Sequence, residues 1–135
     1  MTTTDADPAT LLSIAEAGQR LGLSTSALRY YETEGLMREP VARTTAGRRR
    51  YDETDLRWIE TLQRLRATGM PIREVREYAA LCRAGEGNEA QRLRLLREHR
   101  ERVLAQLDEV TRHLGAITAK IDLYESAVGG RGASA

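Results

Sequence analysis

Cysteine is nearly absent from this chain. Cys82 is the only one among 135 residues, which excludes an intrachain disulfide and suits a reducing, cytoplasmic setting. No apolar run approaches the roughly 20 residues needed to span a bilayer, which argues against a membrane protein. The opening "MTTTDADPAT" has neither the basic stretch nor the apolar core of a secretion signal, so none is expected. The motifs of catalysis are missing as well. There is no nucleophile–base set, no paired-acid motif and no phosphate-cradling glycine loop, and "GEGNEA" carries glycines without following a strand. An enzyme is not expected, nor a cofactor. Lysine is also scarce: twenty of the 21 basic residues are arginine.

Arginine presents a planar fork of N–H donors that suits phosphate and guanine. The net charge is only +1, so position matters more than number. Between Met37 and Tyr51 stand Arg38, Arg43, Arg48, Arg49 and Arg50 against the single acid Glu39. The rest of the chain is slightly acidic. Charge localised in this way is the footprint of a nucleic-acid binder.

The pattern along the chain is mainly helical. Residues 1–12 read as a disordered arm. Ser13 and Glu16 form a capping box, Ile14, Ala17 and Leu21 share one face, and Gly22 offers a left-handed stop. Ser24 starts a second short helix that ends at Gly35. Two short helices around a tight turn make a helix-turn-helix. Val41–Arg43 and Arg48–Tyr51 read as two strands of a hairpin, a basic wing. Asp52 caps the next helix, with Leu56, Ile59, Leu62 and Leu65 as its buried stripe. Another helix follows Pro71, with Ile72, Val75, Ala79 and Cys82 on one face. The head thus spans residues 13–84.

From Glu89 to Val128, apolar residues recur at spacings of three and four: Leu93, Leu96, Val103, Leu107, Val110, Leu114, Ile117, Ile121 and Tyr124, interrupted only by Arg100. This periodicity predicts a coiled-coil dimerisation helix over 89–128. A head of about seventy residues cannot cover so long a stripe, and the simplest partner is a second copy. Acid–base pairs at the flanking positions are few, and leucine dominates one seam position with β-branched residues at the other. Both argue for an antiparallel pairing. Residues 129–135 read as a disordered tail.

"SIAEAGQRLGLSTSALRYYETEGLM", with its "LRYYE..GL" core, the "R....R.Y...DL" stretch and "RATGMPIREV", resembles the MerR family of bacterial transcription regulators, specifically a small member without an appended drug-binding domain. The resemblance implies a winged helix-turn-helix head on a long C-terminal helix in an antiparallel coiled-coil dimer. It further implies a pseudo-palindromic double-stranded promoter site, distorted so that RNA polymerase holoenzyme engages both promoter elements, under the control of a small effector or stress signal. The second helix would lie in the major groove, with Thr25, Ser26 and Arg29 reaching bases or phosphates and Tyr30 on the DNA backbone. Arg43, Arg48 and Arg49 of the first wing, and Arg66 at the second, would neutralise phosphates. Strand alternation sends Arg48 and Arg50 to one side and Arg49 to the other. Arg48 departs from the family, which usually has an aromatic there.

The sensor end is less informative. Family members that sense metals use paired cysteines, so no metal site is expected here. His99 and His113 lie two heptads apart and read as solvated. Cys82 is a possible sensor thiol beside Arg83, although its place on the Ile72–Val75–Ala79 face reads better as a small buried hydrophobe. A branch of the family that responds to aldehydes or nitrosative stress carries its sensing cysteine where this chain has Arg64, so that activity does not transfer. Two other readings stay open: a constitutive repressor or architectural DNA-binding protein, and a protein-binding adaptor using the same head.

Overall fold

The computed structural model describes residues 11–133. In order, these form β1 (Leu12–Ser13), α1 (Ile14–Leu21), α2 (Thr25–Thr33), β2 (Ala42–Arg43), β3 (Arg49–Tyr51), α3 (Glu53–Ala67), α4 (Ile72–Arg83) and α5 (Glu89–Ala133). Helix α1 begins where its sequence says it should. Ser13 Oγ accepts from the Glu16 amide at 3.1 Å, and Glu16 Oε1 accepts from the Ser13 amide at 2.8 Å. The bond from the Ser13 amide, and secondarily the Ser13 hydroxyl, stabilises the ionised Glu16 carboxylate and lowers its pKa. The α1–α2 turn is closed by Leu23 N–H donating to the Gly18 carbonyl at 2.9 Å. A Cβ on Gly18 would stand 2.5 Å from the Leu23 carbonyl oxygen, so this turn requires glycine. Ser24 Oγ caps α2 through the Ala27 amide at 3.0 Å.

The wing is a three-stranded antiparallel sheet in the order β1-β3-β2. Ala42 pairs with Arg50 and Arg43 with Arg49, while Leu12 pairs with Tyr51 and Ser13 with Arg50. Only the β2–β3 hairpin is expected from sequence. The third strand comes from within the expected disordered arm: Leu12 is in β1 and packs against the core. Residues 1–10 of that arm lie outside the described residues. At the other end, α5 continues through Ala133 rather than giving way to a disordered tail after Val128; residues 134 and 135 lie outside the described residues.

The core of the head joins Leu28 and Tyr31 of α2 to Leu56, Ile59 and Leu62 of α3 and Val75 of α4, with Tyr51 of β3 and Met70 of the α3–α4 turn fully enclosed. Asp52 and Asp55 form a reciprocal capping box at the start of α3, with bonds of 2.8 and 3.0 Å. Cross-links fasten the helices to one another. Gln63 Nε2 donates to the Leu21 carbonyl at 2.9 Å, and Arg20 pairs with Glu53 at 3.0 Å. Helix α4 is tied to the end of α2: Arg76 pairs with Glu34 at 2.6 Å, and Arg83 Nη1 donates to the carbonyls of Gly35 and Met37, both at 2.8 Å.

The chain divides into two units, the first ending at Leu96 and the second beginning at Arg97. The first turns of α5 thus belong to the head. Leu95 is buried and Leu96 packs against the head's own core, whereas Leu96 is expected on the dimer stripe and Leu95 is not singled out by the periodicity. Leu93 is exposed and Val103 half-buried. Farther along α5, Leu107, Val110, Leu114, Ile117, Ile121, Tyr124 and Val128 are all more than half exposed. No helix among the described residues is long and apolar enough to cross a membrane.

Candidate nucleic-acid interface

Helix α2 and the wing meet in a groove. Arg29 of α2, Arg48, Arg49 and Arg50 of the wing, and Ser13, Ile14 and Gly47 line a cavity of about 320 Å³. The tight turn at the tip makes this possible. Gly47, at φ 83°, donates its N–H to the Thr44 carbonyl at 2.8 Å, and the Thr44 N–H donates to the Arg48 carbonyl at 2.8 Å. An L-residue with a side chain is strained in that left-handed conformation.

On α2, Thr25 and Arg29 share one helical face and Ser26 and Tyr30 the next. Thr25 is half-buried; Ser26 and Arg29 are exposed. Tyr30 is 44% exposed while Tyr31 is buried, as their adjacent positions predict. The guanidinium groups of Arg29 and Arg48 have no hydrogen-bond or ion-pair partner among the described residues.

The other wing arginines are engaged. Arg43 Nη2 donates to both carboxylate oxygens of Glu32, at 3.0 and 3.2 Å, and its Nη1 donates to the Gly47 carbonyl at 3.1 Å. Arg49 Nε donates to Glu32 Oε1. Arg50 Nη1 reaches the Arg49 carbonyl at 3.0 Å, and its charge lowers the Glu16 pKa as a secondary effect. Arg66, expected on phosphates at the second wing, donates from Nη1 to the Met70 carbonyl at 2.6 Å and so braces the α3–α4 turn. Arg48 stands just before β3, and it lines the same cavity as Arg49 and Arg50. Sequence reasoning missed the Glu32 partnership, because Glu32 lies 11 and 17 residues from the arginines it holds and no local spacing links them.

A second cavity, of about 230 Å³, lies between the α2–β2 connection and α3, lined by Arg38, Glu39, Thr54, Asp55, Arg57, Trp58 and Thr61. Burial pushes the Asp55 carboxyl up to about 6, with the charges of Asp52 and Glu39 adding to the effect. Trp58 Nε1 donates to the Leu36 carbonyl at 2.8 Å, and its ring stacks on Tyr78 at 5.9 Å. Cys82 is buried next to Tyr78, whose hydroxyl pKa is raised chiefly by burial and secondarily by the thiol. His113 is exposed and 3.8 Å from Glu109. His99 is only 6% exposed, with Nδ1 3.4 Å from Arg102 Nη2, and this corrects the expectation of two solvated histidines.

Comparison with known proteins bears on this geometry. Residues 12–81 match the MerR HTH family regulatory protein profile. An HTH-type transcriptional regulator of Haemophilus influenzae is 33% identical over 84% of this chain and 83% of its own length. The HTH-type transcriptional regulator AdhR of Bacillus subtilis is 37% identical over 69% of this chain and 66% of its own. Among solved structures, HiNmlR, a MerR family regulator lacking the sensor domain and bound to promoter DNA, superposes with a TM-score of 0.79 at 32% identity, covering 87% of this chain and 92% of that chain.

Proposed function

Because the chain belongs to the MerR HTH family of regulatory proteins, we propose that it binds a pseudo-palindromic promoter site as a homodimer and controls transcription by bending and untwisting the duplex. Its relatives are transcriptional regulators rather than enzymes. One observation carries the DNA-facing part of the reading: Arg29, on the helix that would enter the major groove, and Arg48, on the wing, line the same groove with their charges unpaired among the described residues. A base-reading group and a phosphate-binding group are then held in one frame. The homodimer rests on the exposed apolar stripe of α5, which in water needs a cover. A second copy supplies an identical stripe, and antiparallel pairing lets each copy cover the other. The promoter-binding part of the reading is supported by HiNmlR, which is bound to promoter DNA; the distortion rests on the family resemblance alone.

Footprinting on the DNA flanking the chain's own gene tests the proposal. A protected site with two-fold symmetry and an over-long spacer between promoter elements is the expected result; no protected site in dilute salt overturns it. Arg29→Ala is expected to cost about 1–3 kcal/mol on the preferred site and to relax sequence preference. Arg48→Ala is expected to weaken all sequences alike and to flatten the salt dependence by about 0.9 in slope. A gel-shift series at rising salt reads both.

A further inference from the structure

One carboxylate, Glu32, holds two of the wing's arginines. It belongs to α2, one turn after Arg29, and accepts from Arg43 of β2 and Arg49 of β3, which are direct cross-strand partners. Two of the wing's three strands, β2 and β3, are therefore fastened to the helix at a single point. The pair is sheltered: the Glu32 side chain is 24% exposed and that of Arg49 23%. One nitrogen of Arg43, Nη2, reaches both Glu32 oxygens while Nη1 donates to the Gly47 carbonyl, so the guanidinium is held by the helix and by its own turn at once. Meanwhile Arg48, one residue from Arg49, carries no such restraint among the described residues.

We propose that Glu32 is a built-in counter-anion that keeps Arg43 and Arg49 off DNA phosphates, limiting affinity for arbitrary sequence and setting the angle between the wing and α2. This rests on the DNA-facing reading above. A phosphate that approaches Arg49 must compete with a carboxylate already in contact, and the wing gains little by reaching for it. A phosphate near Arg48 meets no competitor. The two neighbouring arginines are thus unequal in the bound state, although composition makes them alike. Glu32 acts here as a positioning residue, since it influences binding through the two arginines it holds and does not itself touch DNA.

The salt dependence of binding tests this, because a purely structural role for Glu32 would not steepen it. Binding of the full chain to a random-sequence duplex and to its preferred site is measured across a salt series for the parent, Glu32→Gln and Glu109→Gln. The last variant removes the same charge from α5, outside the head. Glu32→Gln is expected to tighten random-sequence binding about two- to tenfold in dilute salt and to steepen the slope by about 0.9 for each arginine released. The ratio of preferred to random affinity should shrink, and Glu109→Gln should do none of this. A folded Glu32→Gln with the slope of Glu109→Gln overturns the proposal. A second contrast does not depend on how Glu32 variants fold: Arg48→Ala should flatten the parent's slope while Arg49→Gln leaves it nearly unchanged, and equal flattening by both would also overturn it. If the parent ignores DNA at every salt concentration, the DNA-facing reading itself has failed. A parent that binds while these contrasts are absent removes only the role of Glu32.

Discussion

Tyr51 closes the wing and is fully enclosed in the core, yet its hydroxyl has no hydrogen-bond partner among the described residues. Burial raises its pKa, as expected for a phenol that cannot be hydrated when ionised. An enclosed hydroxyl without a partner carries a desolvation penalty of about 1–3 kcal/mol. Tyr51→Phe is therefore expected to leave the thermal midpoint unchanged or to raise it, against the usual direction for a core substitution; a large drop in a melting experiment would reveal a partner for the hydroxyl. Gly18 is the opposite case. Alanine is ordinarily the better helix residue, but here its methyl would meet the Leu23 carbonyl at 2.5 Å. Gly18→Ala is expected to destabilise the head by about 1–3 kcal/mol, visible in denaturant unfolding. Local propensity alone predicts the reverse sign, so the measurement separates the two.

The start of α3 carries a pH dependence of its own. The Asp52–Asp55 box satisfies part-buried amides at the helix start, but burial disfavours the charge of Asp55 and pushes its carboxyl up from 3.8 to about 6. The folded head thus holds this proton more tightly than the unfolded chain does. The resulting stability is fully present below about pH 4 and is lost as the pH rises through 6. With the site partly open to solvent, the contribution is discounted to about 1 kcal/mol. The parent is expected to gain stability relative to Asp55→Asn as pH falls from 7 to 5, because asparagine keeps an acceptor for the Asp52 amide and does not titrate. Parallel melting curves for the two proteins across that window would contradict the assignment. The wing shows how differently neighbouring elements are anchored. Its tip is held by its own turn, its inner face by Glu32, and its far edge by β1, a two-residue strand that also leads into the α1 capping box.

For the molecule as a whole, the question is what covers α5. Its 45 residues span roughly 65–70 Å, and Leu114, near the middle of the stripe, is 58% exposed. A glutamate there lies in water in a single copy and is desolvated against a second. Leu114→Glu is expected to leave the head's unfolding transition in place while converting a dimer to a monomer by analytical ultracentrifugation. Affinity for a two-fold site should fall by more than tenfold, while random-sequence binding per head changes little. If the parent sediments as a monomer at micromolar concentration, the symmetric-site reading fails with it.

Much of this protein is encoded locally. Capping boxes at Ser13 and Asp52, glycine stops at Gly22 and Gly35, and three-four periodicity in the helices act over a few residues, so reading along the chain recovers α1 to α5, the β2–β3 hairpin and the long apolar stripe. Arg29 and Arg48 are visible as candidates for the same reason: an arginine on a helix or hairpin surface announces itself. What could not be read that way depends on residues distant in sequence coming into contact. The pairing of Leu12 with Tyr51, the enclosure of Leu95, the clasp of Arg83 on the end of α2 and the capture of Arg43 and Arg49 by Glu32 all have this character. An arginine's charge is written in its codon, but whether that charge faces a carboxylate or solvent depends on which side chains the fold brings within about 3 Å of it.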